Sequence, residues 1–321
     1  LEKDLIEGLI SDGHKIKIIC PTPTRGISQE VRQKYKNIKY EEKYNGSVVV
    51  NRFMAPSEGK NPIIRAIRYF WCNWYTYKMA IKYTDVDIIF SNSTPPTQGV
   101  LSALVAKKLS KKKGIKVPFI YNLQDIFPDS LVNSNLTYEG SILWKIGRKL
   151  EDYTYNHADK IILISKGFKR NITEKGVTED KIEINSNWID LDSVHPIDRN
   201  KNCLITEFGI DPNKFIVVYA GNLGAAQGAD IVIKAAKELQ EYKDIQFVIF
   251  GGGPYFENAK NESKDLKNVF IHELMPQNRI SEVYSLGNVA LITCKKGTGK
   301  AGMPSKLWSI MACNTPIIAS F

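Results

Sequence analysis

Residues 215–236, FIVVYAGNLGAAQGADIVIKAA, decide the fold. The first five are aromatic or β-branched, the pattern of a strand buried on both faces. A glycine-rich turn, Ala220 to Gly228, follows, and then a stretch with helical apolar spacing. Strand, glycine loop and helix in that order form a βα unit, with the loop at the carboxyl end of a parallel strand. Glycines there let backbone N–H groups approach an anion, and the helix N-terminus adds the positive end of its dipole. Phosphate suits such a loop, although an ordinary βα turn would look the same.

The rhythm extends downstream. Strands read at 246–250, 269–272, 289–293 and 316–319, and helices at 228–241, 254–263, 278–285 and 304–313. Two further loops follow strand ends: Gly251-Gly252-Gly253-Pro254, and the glycine- and lysine-rich KKGTGKAGMPSK from Lys295 to Lys306. Pro304 suits the first turn of the helix after it. A dinucleotide GxGxxG with its downstream acid is absent, and the order GxxxxGK[ST] is not met. Those absences argue against an NAD enzyme and a P-loop nucleotidase.

Upstream, helices read at 1–11, 62–83, 96–110, 139–157 and 166–175, with strands at 15–20, 48–50, 87–91, 118–122, 160–164 and 181–184. Residues 189–206 mix turn formers, a proline and charges with no period, and read as a linker. The expected architecture is α/β: two Rossmann-like, doubly wound parallel-sheet domains, 1–192 and 193–321. The chain opens on a helix and stops on a strand. The expectation is therefore that the first strand of domain one and the last helices of domain two lie outside it, and that this segment alone is inactive or weakly active.

With 321 residues, 43% hydrophobic and 24% charged, the chain can bury two cores. No apolar run approaches the roughly 18–20 residues of a spanning helix. The five cysteines are scattered without a CxxC pair, and the four histidines are equally dispersed, so no metal site is expected. A net charge of +10 favours anionic partners. No nucleic-acid module is present, and nucleic acid is not an expected partner. The stretch 60–82 carries Arg65, Arg68, Lys78 and Lys82 among Tyr69, Phe70, Trp71, Trp74, Tyr75 and Tyr77, with no acid between. That composition suits an anionic membrane surface, or else a core-packed helix with one solvated face. Lys107, Lys108, Lys111, Lys112, Lys113 and Lys116 form a second basic patch. After the strand at 118–122, NLQDIFPDS supplies Asp125 and Asp129 as polar groups at a strand end. Ser93, Thr94 and Pro95 follow the preceding strand in the same way. Asp85-Val86-Asp87 precedes its strand and reads as a turn rather than a metal motif.

These pieces resemble the GT4 family of retaining glycosyltransferases, through DGHKIKIIC, NLQDIFPDSL, ADKIILIS, NSNWID, YAGNLGAAQGADIVIKAA, FVIFGGGP and GMPSKLWSIMACNTPIIAS. Within it, the likeness is to bacterial polysaccharide and O-antigen enzymes, including the L-fucosamine transferases. The resemblance implies the GT-B fold and transfer from a nucleotide-diphosphate sugar, favoured as a UDP-N-acetyl sugar, with retention and without a metal or cofactor. It implies a lipid-linked saccharide acceptor and a cytoplasmic enzyme peripheral to the inner face of the plasma membrane. Gly221, Asn222, Gly224 and Gln227 would approach the diphosphate. Gly252, Gly253 and Pro254 would line the nucleoside, and Leu274 and Met275 the base. Gly302, Met303, Pro304, Ser305 and Lys306 would lie over the diphosphate and sugar, and Ser309 would also bind the donor. Asp125 and Lys306 are the candidate catalytic residues, and Ser93, Thr94 and Pro95 belong to the acceptor side.

Two departures stand out. The family's Glu-x7-Glu pair falls on Ala301 and Ser309, and its Arg and Lys after the AG turn are missing, with Asn222 and Gln227 nearby. Lys306 is the candidate replacing cation. A UDP-N-acetylglucosamine 2-epimerase of the same fold and a silent sugar-nucleotide-binding protein are the alternatives.

Overall fold

The computed structural model describes residues 2–24, 27–56, 62–133, 136–224, 227–295 and 303–320. The chain opens on α1 (Glu2–Ser11), which stops where Gly13 takes a φ of 85° and its N–H bonds back to the Ile10 carbonyl at 2.9 Å. Then come β1 (Ile16–Pro21), α2 (Gln29–Tyr35), β2 (Tyr40–Lys43) and β3 (Val48–Phe53). β1 runs parallel to β3, and β2 antiparallel, in the order β1-β3-β2.

After α3 (Pro62–Ala80) the βα rhythm is regular: β4 (Ile89–Asn92), α4 (Gln98–Lys113), β5 (Phe119–Leu123), α5 (Asp129–Asn133), α6 (Ile142–His157), β6 (Lys160–Leu163), α7 (Lys166–Glu174) and β7 (Ile182–Ile184). β4-β5-β6-β7 form a second, all-parallel sheet.

The last part holds α8 (Cys203–Phe208), β8 (Phe215–Asn222), α9 (Ala229–Glu238), β9 (Ile245–Gly252), α10 (Phe256–Glu262), β10 (Val269–Glu273), α11 (Ile280–Ser285), β11 (Val289–Thr293), α12 (Lys306–Ala312) and β12 (Ile317–Ser320). Its sheet is parallel throughout, in the order β10-β9-β8-β11-β12. Alternation along β8 divides the core. Ile216, Val218 and Ala220 face α8, α11 and α12, whereas Val217 and Tyr219 face α9 and α10.

Four elements are absent from the sequence reading: α2, β2, α5 and α8. α2 is short, rich in charge and started by its Ser28 cap, whose hydroxyl accepts from the Val31 N–H at 3.2 Å. β2 pairs on one side only and carries three charged residues in a row, Glu41 to Lys43, which hides the usual apolar signal. α8 begins inside the expected linker. Val194 and Leu204 from that linker are buried in the core of the last sheet.

Two compact units emerge. One comprises residues 1–124, 146–163 and 172–184; the other comprises 125–145, 164–171 and 185–321. Segments following β5 and β6, Asp125 among them, thus group with the last sheet. Among the described residues, no helix is long and apolar enough to cross a membrane.

Candidate functional site

The strand order fixes where a ligand site can form. From β8 the chain steps outward through β9 to β10, then returns to the other side of β8 as β11. α9 follows β8 and packs on one face; α12 follows β11 and packs on the other, with Ile310 in the opposite core. Connections leaving neighbouring strands in opposite directions open a crevice at their carboxyl ends, where ligands of open α/β sheets collect.

Lys306 occupies that crevice. It is the first residue of α12, and its ammonium returns to β8, with Nζ 4.1 Å from the centroid of the Tyr219 ring. Gly221, at a φ of 142°, makes room for it: a Cβ there would lie 3.0 Å from Nζ. Nζ is buried and has no hydrogen-bond partner among the described residues. Burial pulls its pKa down to about 8, against a smaller opposing influence of Cys294. A buried ammonium without a counter-charge is costly, and an incoming anion removes that cost.

Around Lys306, Asn222 ties two glycine loops together. Its Nδ2 donates to Gln227 Oε1 at 3.3 Å. Gly253 has a φ of 125°, and a Cβ on it would fall on Asn222 Oδ1. A Cβ on Gly224 would lie 2.6 Å from Gln227 Oε1. The Leu223 N–H donates to the Gly252 carbonyl at 2.7 Å, and the Tyr255 N–H to the Leu223 carbonyl at 3.0 Å, so the loops after β8 and β9 are laced by backbone. Two buried hydroxyls anchor them from below. Tyr219 donates to the Asn222 carbonyl at 3.0 Å, and Thr293 at the end of β11 donates to the Gln227 carbonyl at 2.7 Å.

The remaining expected residues lie around this nucleus or apart from it. The space where Gly252 would carry a Cβ is open, and Pro254 is exposed. Leu274 is exposed just after β10, whereas Met275 packs on the α8 side of the core. Met303 and Pro304 are half-buried, Ser305 is exposed, and Ser309 sits half-buried within α12. Gly302 lies outside the described residues, as do the loop residues 296–301.

In the other sheet, the buried Ser93 hydroxyl accepts from the Gln124 N–H at 3.0 Å, joining the ends of β4 and β5. Thr94 is exposed, and the Pro95 carbonyl accepts from the Gln98 N–H at 2.9 Å to start α4. Burial pushes the Asp125 carboxyl above the usual carboxylate range, against a hydrogen bond from Ser130. Asp129 opens α5 and accepts from Asn171 Nδ2 at 2.8 Å. Asp85 and Asp87 precede β4 and pair with Lys17 and Lys113, in keeping with a turn.

Tyr219 and Thr293 escaped the sequence reading as site residues. Thr293 is the last residue of β11, and Tyr219 lies inside β8 among apolar neighbours.

Residues 3–193 match the family model Glycosyltransferase Family 4, and residues 201–320 match Glycosyl transferases group 1. The chain belongs to glycosyltransferase family 4. The glycosyltransferase is similar to WcaI of Escherichia coli, a protein named for glycosyl transfer in colanic acid biosynthesis. Identity is 23% over 316 residues, covering 96% of this chain and 76% of WcaI. It is also similar to WbjE of Pseudomonas aeruginosa, named as a glycosyltransferase, with 23% identity over 83% of this chain and 66% of WbjE. Among solved structures it shares its fold with sucrose-phosphate synthase from Thermosynechococcus elongatus, at a TM-score of 0.69, 14% identity, and 98% and 73% coverage. HepE of Anabaena in complex with UDP matches at a TM-score of 0.64, 14% identity, and 95% and 80% coverage. The fold of this glycosyltransferase is thus GT-B, built from parallel-sheet Rossmann-like units.

Proposed function

We propose that this glycosyltransferase transfers a sugar, favoured as an N-acetyl sugar carried on UDP, to a lipid-linked saccharide in the assembly of a cell-surface polysaccharide, as the L-fucosamine transferases it resembles do. The carrying observation is the buried Lys306 ammonium, unpartnered among the described residues and set beside Gly221 at the β8–β11 crevice. A diphosphate gathers negative charge as its bond to the sugar breaks, and a preorganised cation with loop N–H groups stabilises that charge most in the transition state. In this reading Lys306 replaces the family's missing basic pair, and transfer retains configuration without a metal. Asp125, its carboxyl pushed above the usual carboxylate range by burial, orients a hydroxyl of the transferred sugar. The HepE structures hold UDP, UDP with glucose, and UDP-glucose, which supports a nucleotide-sugar donor for a protein of the same fold.

The test is turnover of UDP-N-acetyl sugars by the full-length protein with a lipid-linked saccharide. The reading expects sugar-extended lipid with retained anomeric configuration, and free UDP in equal amount. Conversion of the donor without an acceptor would favour the epimerase instead. Tight UDP binding with no turnover across a donor panel would favour a silent binding protein.

The reading extends to the cytoplasmic face of an anionic membrane, through α3. Its inner side packs: Tyr75 stacks on Phe53 with centroids 5.6 Å apart, and Tyr77 and Ala80 join a core with Val105, Leu109 and Val117. Ile64, Ile67, Trp71 and Trp74 recur at three- and four-residue steps, so they share one stripe, and all are exposed, with Phe70 beside them 74% exposed. An apolar, aromatic stripe on a helix without acidic residues suits an anionic bilayer surface. Replacing Phe70 and Trp74 together by Glu is expected to lower binding to phosphatidylglycerol-containing vesicles at least about tenfold, as two bilayer-buried aromatics are lost and charges repel. Co-sedimentation checks this, and undiminished binding would remove α3 from the membrane contact.

A further inference from the structure

Tyr219 is buried in the core between the last sheet and α9, yet its ring and hydroxyl both end at the phosphate-facing crevice. Apolar residues fill every other β8 position from Ile216 to Ala220, and Phe in that place would pack equally well. What the phenol ring adds is a seat. Lys306 Nζ rests 4.1 Å from its centroid and finds no hydrogen-bond acceptor among the described residues. A lysine stem has four rotatable carbons, and an ammonium without an acceptor has no preferred place in a polar crevice unless some surface holds it. An electron-rich ring face does so by attraction to its quadrupole, more strongly when water is excluded. That attraction leaves the three N–H donors unspent, because a ring face accepts none of them in a directed way.

We propose that the ring of Tyr219 is the positioning residue of the diphosphate site, holding the Lys306 ammonium beside Gly221 with its donors free for the ligand. The inference rests on the reading of Lys306 as the diphosphate cation. The tyrosine hydroxyl acts separately from the ring. It pins the Asn222 carbonyl, and through Asn222 the glycine loop. Burial raises the Tyr219 hydroxyl to about 12, so it stays protonated and donating at any pH at which the protein would work.

The test separates the ring face from packing. Phenylalanine and a ring-fluorinated phenylalanine are placed at position 219, and Tyr219→Leu is made alone and on Lys306→Met. Fluorination removes the negative ring face with little change of volume. Each variant is titrated with UDP and with uridine, and the readout is the ratio of the two affinities. The ratio isolates the diphosphate, whereas a merely structural loss would weaken both ligands alike.

Tyr219→Phe, which loses the hydroxyl that holds the Asn222 carbonyl, sets the baseline; relative to it the ratio is expected to fall about tenfold with the fluorinated ring, and at least as far with Tyr219→Leu. On Lys306→Met, Tyr219→Leu should produce no further fall. Equal ratios for the plain and fluorinated rings would overturn the proposal, even if Tyr219→Leu failed to fold. So would an additive fall on Lys306→Met. If Lys306→Met itself leaves the wild-type ratio unchanged, the reading of Lys306 fails first. If Lys306 matters and the ring face does not, only the role of Tyr219 is lost.

Discussion

Replacing Lys306 by methionine is expected to raise the melting temperature while lowering the affinity for UDP about 100-fold, the two effects arising from the same buried charge. Methionine has a similar unbranched shape and no charge to bury. In the folded protein the ammonium titrates near 8 rather than at 10.5, because burial disfavours its charged form. A folded pKa below the unfolded one means that the unfolded chain holds the extra proton between those two values. The penalty is therefore fully present below about pH 8, and it is relieved as pH rises towards 10.5. From that shift it is worth on the order of 3 kcal/mol, which corresponds to several degrees of melting temperature.

UDP binding should follow the opposite course. A bound diphosphate stabilises the ammonium, so above about pH 8 each ligand must bring in a proton. Affinity should then fall by about tenfold per pH unit. Thermal melts and calorimetric titrations of wild type and Lys306→Met check both halves. A melting temperature that drops, with UDP affinity unchanged, would make Lys306 a structural residue.

Gly253→Ala is expected to produce the other large effect. The residue holds a φ of 125°, where side chains are strained, and a Cβ would fall on Asn222 Oδ1 and lie 3.1 Å from the Leu223 carbonyl oxygen. Asn222 cannot swing clear without releasing Gln227, and the Leu223 carbonyl is already held by the Tyr255 N–H. Backbone strain and the broken loop contact together should cost about 2–4 kcal/mol of stability and at least tenfold in UDP affinity. Gly252→Ala is the control for stability, because no atom lies within 4 Å of its added Cβ. Its melting temperature should stay within about a degree of wild type, in line with a surface change of under roughly 0.5 kcal/mol. Equal destabilisation by the two substitutions would show that the Asn222 contact is not what Gly253 protects.

The last sheet is legible in the sequence because its central strands β8, β9 and β11 are apolar on both faces and each is followed by a loop rich in glycine. FIVVY and FVIFGG carry both signals at once. β2 is not legible, because Tyr40, Glu41, Glu42 and Lys43 give an edge strand no buried face to announce. α8 hides for a related reason. Its six residues start in a charged linker, and only the packing of Leu204 and its Asn202 cap reveal it as part of the last core.

At the site, the glycines and Lys306 could be picked out by residue type and position. What sequence spacing could not supply is the relation among them. The Nζ of Lys306 meets Gly221 across a separation of 85 residues because β11 returns beside β8, and strand order is not written in any local pattern. Tyr219 and Thr293 were passed over for the same cause. Inside an aliphatic run they look like core, and their hydroxyls acquire meaning only when the Asn222 and Gln227 carbonyls stand above them.

The central claim, that the carboxyl ends of β8, β9 and β11 form a receptor for pyrophosphate, is tested most directly by titrating the wild-type protein with nucleoside diphosphates and their parent nucleosides at pH 7. The account predicts that UDP, or whichever nucleotide binds best, exceeds its own nucleoside by about 100-fold or more, as expected for a charge-assisted contact in a desolvated site. If uridine, guanosine, adenosine and thymidine each bind as tightly as their diphosphates, Lys306 meets no phosphate and the account is contradicted.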